Sequence, residues 1–149
     1  MKKEYLYKKQ LNGRGRFGGV ELEFTSGTKI SKVIDKCVWK DWTSHNSNFE
    51  ETTYMKSIKS YIMDAIDHIL KTINTTDQCF EISLIDIKIF PVDTVPSHIL
   101  ASAIIGTFEL LGQSLNAEKM IKIDQFIIQN ENIEFPEYDK FITKLLTTN

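Results

Sequence analysis

A glycine-punctuated turn followed at once by a strictly alternating run constrains this chain more than any other feature. Asn12-Gly13-Arg14-Gly15-Arg16 reads as a turn, because its glycines take positive φ at no steric cost. From Gly18 to Phe24, Val20, Leu22 and Phe24 alternate with Glu21 and Glu23. That period belongs to a strand with one dry face and one wet face. Upstream, Glu4 to Gln10 also reads as a strand, with Tyr5 and Tyr7 on one side and Leu6 and Lys8 on the other. Together they predict a hairpin with a longer, Gly-rich connection.

A hairpin with one apolar face needs a cover, and the rest of the chain supplies candidates. After Ser26-Gly27-Thr28, a third strand is expected over about Lys29 to Val38. A polar stretch from Lys40 to Glu51 holds Trp42, His45 and Phe49. Thr52–Ile73 carries the clearest helical period. Met55, Ile58, Ile62, Ala65, Ile66, Ile69 and Ile73 recur at steps of three and four and make one buried stripe. Gln78 to Phe90 reads as a strand whose apolar parity switches near Leu84–Ile85, which calls for a bulge or for burial of both faces. Pro91 to Pro96 is a loop. Pro96 suits the first turn of a helix to about Leu111, with Thr94 or Val95 near its cap and Gly112 after its end. In the tail, Met120–Ile128 reads as a strand and Pro136–Leu146 as a short helix with Phe141, Leu145 and Tyr138 inward. The order predicts an α+β fold, a mostly antiparallel sheet with two helices on one face.

Length and composition fit one domain: 149 residues, 42% apolar and 26% charged. No apolar run approaches the roughly 20 residues of a membrane helix, so no membrane partner is expected. The opening MKKEYLYKKQ lacks an apolar stretch behind its lysines, so the expectation is a cytoplasmic chain without a secretory leader. Cys37 and Cys79 are read as reduced, part-buried thiols. His45, His68 and His98 are dispersed, and no Cys/His cluster has metal-ligand spacing; no metal or other cofactor is expected. Residues 1–16 carry Lys2, Lys3, Lys8, Lys9, Arg14 and Arg16 against Glu4. The total charge is −2, so this +5 arm sits on a body of −7. Such an arm is either a nucleic-acid contact or a solvated lysine-bearing strand.

The run Tyr7-Lys8-Lys9-Gln10-Leu11-Asn12-Gly13-Arg14-Gly15-Arg16-Phe17-Gly18 resembles the opening of domain IV of elongation factor G. That family has a basic residue, Gln, and a G-G-R-G-Q-Y-G turn, and Gln10, Gly13, Arg14, Gly15, Phe17 and Gly18 stand in register with it. The helix opening at Tyr54, the run Ile85-Asp86-Ile87-Lys88-Ile89, the loop Pro91-Val92-Asp93-Thr94 and the Ala103–Phe108 helix are similar to its next elements. The loop is also similar to that of tetracycline-resistance ribosomal protection proteins. The resemblance spans about residues 4–115, giving a domain-IV-like unit over 1–115. Residues 116–149 make a C-terminal extension, expected to add a strand and a short helix to the same domain.

The resemblance implies a left-handed βαβ crossover, as in the second domain of the fifth small-subunit ribosomal protein. It also implies a tip region that enters the decoding centre. Here the tip loop would carry Pro91, Asp93, Thr94 and His98; the family's loop histidine has no counterpart in Phe90–Thr94. No G-x-x-x-x-G-K-S/T phosphate loop occurs, so no nucleotide is expected. Asp86 and Asp93 are the candidate acid–base carboxylates. Asp86 is read as solvent-facing and Asp93 as a helix cap, so no enzyme is expected.

Two readings stay open. In the first, Lys8, Lys9, Arg14 and Arg16 meet phosphates of ribosomal RNA or the small ribosomal subunit, while Gly13, Gly15 and Gly18 let the backbone approach. In the second, the chain is a protein-interaction module that kept the fold and lost the ribosome. It would pair with a protein or with itself through Trp39, Trp42 and Phe49, Trp39 alternatively ending a strand in the core.

Overall fold

A computed structural model describes residues 1–44, 46, 48–73 and 78–148; His45 lies outside them. Strands β1 (Lys2–Leu11) and β2 (Arg14–Ser26) form the hairpin. Its connection is tighter than expected. Leu11 pairs with Arg14, so only Asn12 and Gly13 make the turn. Both have positive φ, 53° and 75°, as a type I′ turn requires. An Asn-Gly pair meets that requirement, and Arg14 to Phe17 are released to extend the strand.

Strand β3 (Lys32–Asp35) is shorter than the expected Lys29–Val38. The short helix α1 (Lys40–Thr43) and the long helix α2 (Thr53–Ile73) follow, then β4 (Phe80–Lys88). The sheet order is β1-β2-β4-β3, antiparallel except for β3 beside β4. These parallel neighbours are joined across α2, so the architecture is α+β with a mixed sheet. Glu21 faces Asp86 while Leu22 faces Leu84, which leaves Ile85 as the extra residue of a bulge. The parity switch at Leu84–Ile85 is that bulge. Ser83 and Asp86, on the other parity, are nevertheless buried too.

Asp86 therefore corrects the solvent-facing expectation. It is fully buried, its Oδ1 accepts the Lys40 N–H at 2.9 Å, and Lys88 Nζ lies 3.4 Å from Oδ2. The start of α1 covers that part of the sheet face. Trp39 packs in the core and donates its indole N–H to Glu51, whereas Trp42 stays partly exposed.

On the other sheet face Tyr5, Tyr7, Val20, Leu22, Ile82, Leu84 and Ile87 meet the stripe of α2 and helix α3 (Pro96–Leu110) in one hydrophobic cluster. In α2 the buried residues are Met55, Ile58, Ile62, Ala65, Ile66, Ile69 and Leu70. Helix α3 is buried on nearly every side. A side chain at Gly18 would come within 2.6 Å of the backbone at His98 and Ile99, and one at Gly106 within 2.5 Å of the Tyr5 ring. These two glycines let α3 lie directly on β1 and β2.

The tail corrects another expectation. Residues 117–130 form helix α4 (Ala117–Asn130), not a strand, and α5 (Asp139–Thr147) follows. Asn116 caps α4, its side chain accepting the Lys119 N–H at 2.9 Å. Ile123 and Ile127 of α4, with Ile142 and Leu145 of α5, join the same core. Among the described residues, no helix is long and apolar enough to cross a membrane.

Candidate nucleic-acid interface

The β1–β2 turn and the loop after β4 share one end of the sheet, because Gly19 pairs with Lys88 in antiparallel register. There Phe17 and Phe90 stack, ring centroids 4.1 Å apart and planes 12° from parallel. Phe17 is buried and Phe90 is 51% exposed, so the outer phenyl face meets water. A groove of about 350 Å³ runs beside them, lined by Lys8, Lys9, Gln10, Gly15, Arg16, Phe17, Phe90 and Asp93. Of the predicted site residues, Lys8, Lys9, Gly15 and Arg16 of the hairpin and Asp93 of the tip loop line this concavity. Phe90 reads in the sequence as nothing more than a strand end, which hides its place in the groove.

The four predicted cations differ in availability. Lys8 and Arg14 are exposed and Lys9 is half-buried. Arg16 is not a surface cation: its side chain is 4% exposed and its Nε reaches Glu131 Oε2 at 2.7 Å. The terminal NH2 group donates to Glu131 Oε1, also at 2.7 Å, so the pair is bidentate. NH1 donates to the carbonyls of Leu11 and Arg14. Lys9 pairs with Arg16 across the hairpin, on the sheet side that faces the helices, and burial of that side draws the guanidinium inward. Beside it, Glu131 is held below the usual carboxylate range, first by the Arg16 hydrogen bond.

His98 belongs to α3 and is fully buried, so it is not part of the tip loop. Its Nδ1 accepts the N–H of the cap residue Val95 at 3.2 Å. The proton therefore sits on Nε2, which donates to Glu131 Oε2 at 3.0 Å. Burial holds the imidazole below the usual histidine range, against the pull of Glu131. Val95, not Asp93, occupies the helix cap; Thr94 instead accepts the Phe90 N–H through its hydroxyl at 2.8 Å. Pro91 and Asp93 sit in the turn between Phe90 and Thr94.

Two residues of α4 and its end also face the hairpin, and neither carries a local sign of this in the sequence. Asp124 accepts the Tyr7 hydroxyl at 2.7 Å and lies 3.9 Å from Lys9 Nζ. Glu131, besides Arg16, lies 4.0 Å from an Arg14 nitrogen. Gly13 has the positive φ its turn needs, a side chain at Gly15 would meet Gln10 at ordinary contact distance, and Gly18 serves packing under α3, not ligand approach. Among the described residues, no group of three or more His, Cys, Asp or Glu is placed to hold a metal ion.

Comparison with known proteins adds a distant likeness. No family model and no curated protein matches the sequence. Among solved structures, ttk003000868 from Thermus thermophilus superposes with a TM-score of 0.47 at 15% identity. The match covers 68% of this chain and 14% of that one, so the chain spans about a seventh of that protein's length.

Proposed function

We propose that this chain is a non-catalytic, translation-related protein that contacts RNA on the small ribosomal subunit through the turn-and-loop end of its sheet. The observation that carries the reading is the half-exposed Phe90 ring stacked on Phe17 beside the lysines of the groove. A phenyl face beside cations is how proteins hold unpaired nucleotides: the ring stacks a base and the cations meet phosphate. The resemblance of Lys8–Gly18 to the elongation factor G domain supports the ribosome as the RNA's source, and a cytoplasmic setting goes with it.

Catalysis has less behind it, since Asp86 is engaged by the Lys40 N–H and Lys88. The protein-interaction reading keeps one specific support: Val38 and Trp42 are 48% and 38% exposed a few residues apart. Sedimentation of the wild type and of Trp42→Ala separates it, because self-association lost in the variant would favour that patch.

The test of the main reading is co-sedimentation with small ribosomal subunits across a salt series, comparing the wild type with Lys8→Glu plus Arg14→Glu. These two exposed cations are changed because Arg16 is part of the folded interior. Binding that weakens with salt and disappears in the double variant is expected. Undiminished binding by the variant refutes the proposal.

A further inference from the structure

We infer that Asp124 and Glu131 are specificity-determining residues of this surface, and that they restrict it to single-stranded RNA offering an unstacked base. The inference rests on the RNA-contact reading above and says which RNA the site takes. It starts from the hairpin register. Lys8 pairs with Phe17 and Lys9 with Arg16, so the two pairs project to opposite sides of the sheet. On the Lys9–Arg16 side the C-terminal segment supplies two carboxylates. Glu131 takes both arms of Arg16 at 2.7 Å and lies 4.0 Å from Arg14. Asp124 lies 3.9 Å from Lys9 and holds the Tyr7 hydroxyl at 2.7 Å. Three of the four candidate cations thus already face a carboxylate of their own chain.

Lys8 does not. Among the described residues it has no ion pair, and it stands on the same side as Phe17, whose ring carries Phe90. What remains for a ligand is one unpaired cation, two partly compensated ones, and an exposed phenyl face. Duplex RNA hides its base faces and is held mostly through phosphates and 2′-hydroxyls, for which this end has little free charge. A single strand can lay a base on Phe90 and one phosphate on Lys8. The groove of about 350 Å³ lies at the small end of ligand sites and suits one nucleotide better than a helix. The acidic body reinforces the restriction by opposing long-range attraction of dense polyanions.

The experiment is fluorescence anisotropy with a labelled oligoadenylate and with an RNA duplex of equal length, each across salt. Asp124→Asn is the informative variant. Asparagine can still accept the Tyr7 hydroxyl, so the fold is retained, whereas a change at Glu131 would strand buried Arg16. The wild type should prefer the single strand about tenfold or more, with a log–log salt slope no steeper than about −1.4, that of two single-strand phosphates. Asp124→Asn should bind the duplex roughly fivefold tighter at low salt, with a slope steeper by about 0.9, by freeing Lys9. Equal or better duplex binding by the wild type, or an Asp124→Asn variant unchanged in affinity and slope, overturns the inference. If Lys8→Ala and Phe90→Ala weaken binding while Asp124→Asn is silent, the inference is overturned and the RNA-contact reading stands. No binding of either RNA by wild type and variant alike removes the RNA-contact reading as well.

Discussion

Replacing Arg16 by methionine should destabilise the protein by about 3 kcal/mol near pH 7.5. The Arg16 and Glu131 side chains are 4% and 8% exposed, so solvent screens little of their interaction. Methionine fills much of the arginine stem but removes both hydrogen bonds to Glu131 and those to the carbonyls of Leu11 and Arg14. Among the described residues, the Glu131 carboxylate keeps the His98 Nε2–H as its one close donor, with Arg14 at 4.0 Å. Breaking a buried pair from one side costs about 3–5 kcal/mol, and the lower end applies because this pair lies at the end of the sheet. The loss should shrink on acidification. Without the guanidinium, His98 faces an uncompensated carboxylate, so the folded variant takes up a proton more readily than the wild type. Urea denaturation, followed by the fluorescence of buried Trp39, reads both quantities at pH 7.5 and 5.5. Arg14→Met is the control; as half the Arg14 side chain is exposed, it should cost less than about 1 kcal/mol. If Arg16→Met costs no more than Arg14→Met, Arg16 is a solvated surface cation and the account of the hairpin's interior is wrong.

Three further outcomes follow from the same geometry. Gly18→Ala should cost about 1–3 kcal/mol by thermal denaturation, because its methyl group would meet α3 backbone at 2.6 Å; a wild-type melting temperature would mean α3 does not sit there. Stability should be flat between about pH 6.5 and 8 and fall below that window, because burial lowers the folded-state pKa of His98 and the unfolded chain protonates first. A second loss should begin below about pH 4.3, where the depressed Glu131 no longer contributes in full; His98→Gln should remove the first limb and leave the second. Burial pushes the Cys37 thiol up to about 12, so at pH 8 native protein should alkylate there at least about a hundredfold more slowly than unfolded protein, as read by peptide mass spectrometry.

The sequence announced those parts of the fold whose signals are local. The Val20-Leu22-Phe24 alternation, the Met55–Ile69 stripe, the break at Leu84–Ile85 and the Pro96 helix start each involve neighbours within a few residues, and each appears in the structure. The tail misled because Ile121 and Ile128 are apolar yet 56% and 37% exposed. They blurred the helical spacing of Ile123 and Ile127, although Asn116 before Glu118 was a usable helix-start signal. The site was half visible. Glycines and cations of the turn stand in a contiguous run, but the fate of Arg16 depends on Glu131, 115 residues away. Asp86 shows the same limit. Its parity marks the sheet face correctly, but periodicity carries no sign that the Lys40 backbone covers it.

Ultraviolet cross-linking of the protein to small ribosomal subunits, followed by peptide mapping of the RNA adducts, locates the RNA contact on the chain. Adducts are expected within Tyr7–Phe17 and Phe90–Val95, lost when Lys8 and Arg14 are both made acidic. Adducts confined to α4, α5 or the Trp42 segment, or none in conditions where the protein co-sediments with the subunit, would contradict the proposed contact.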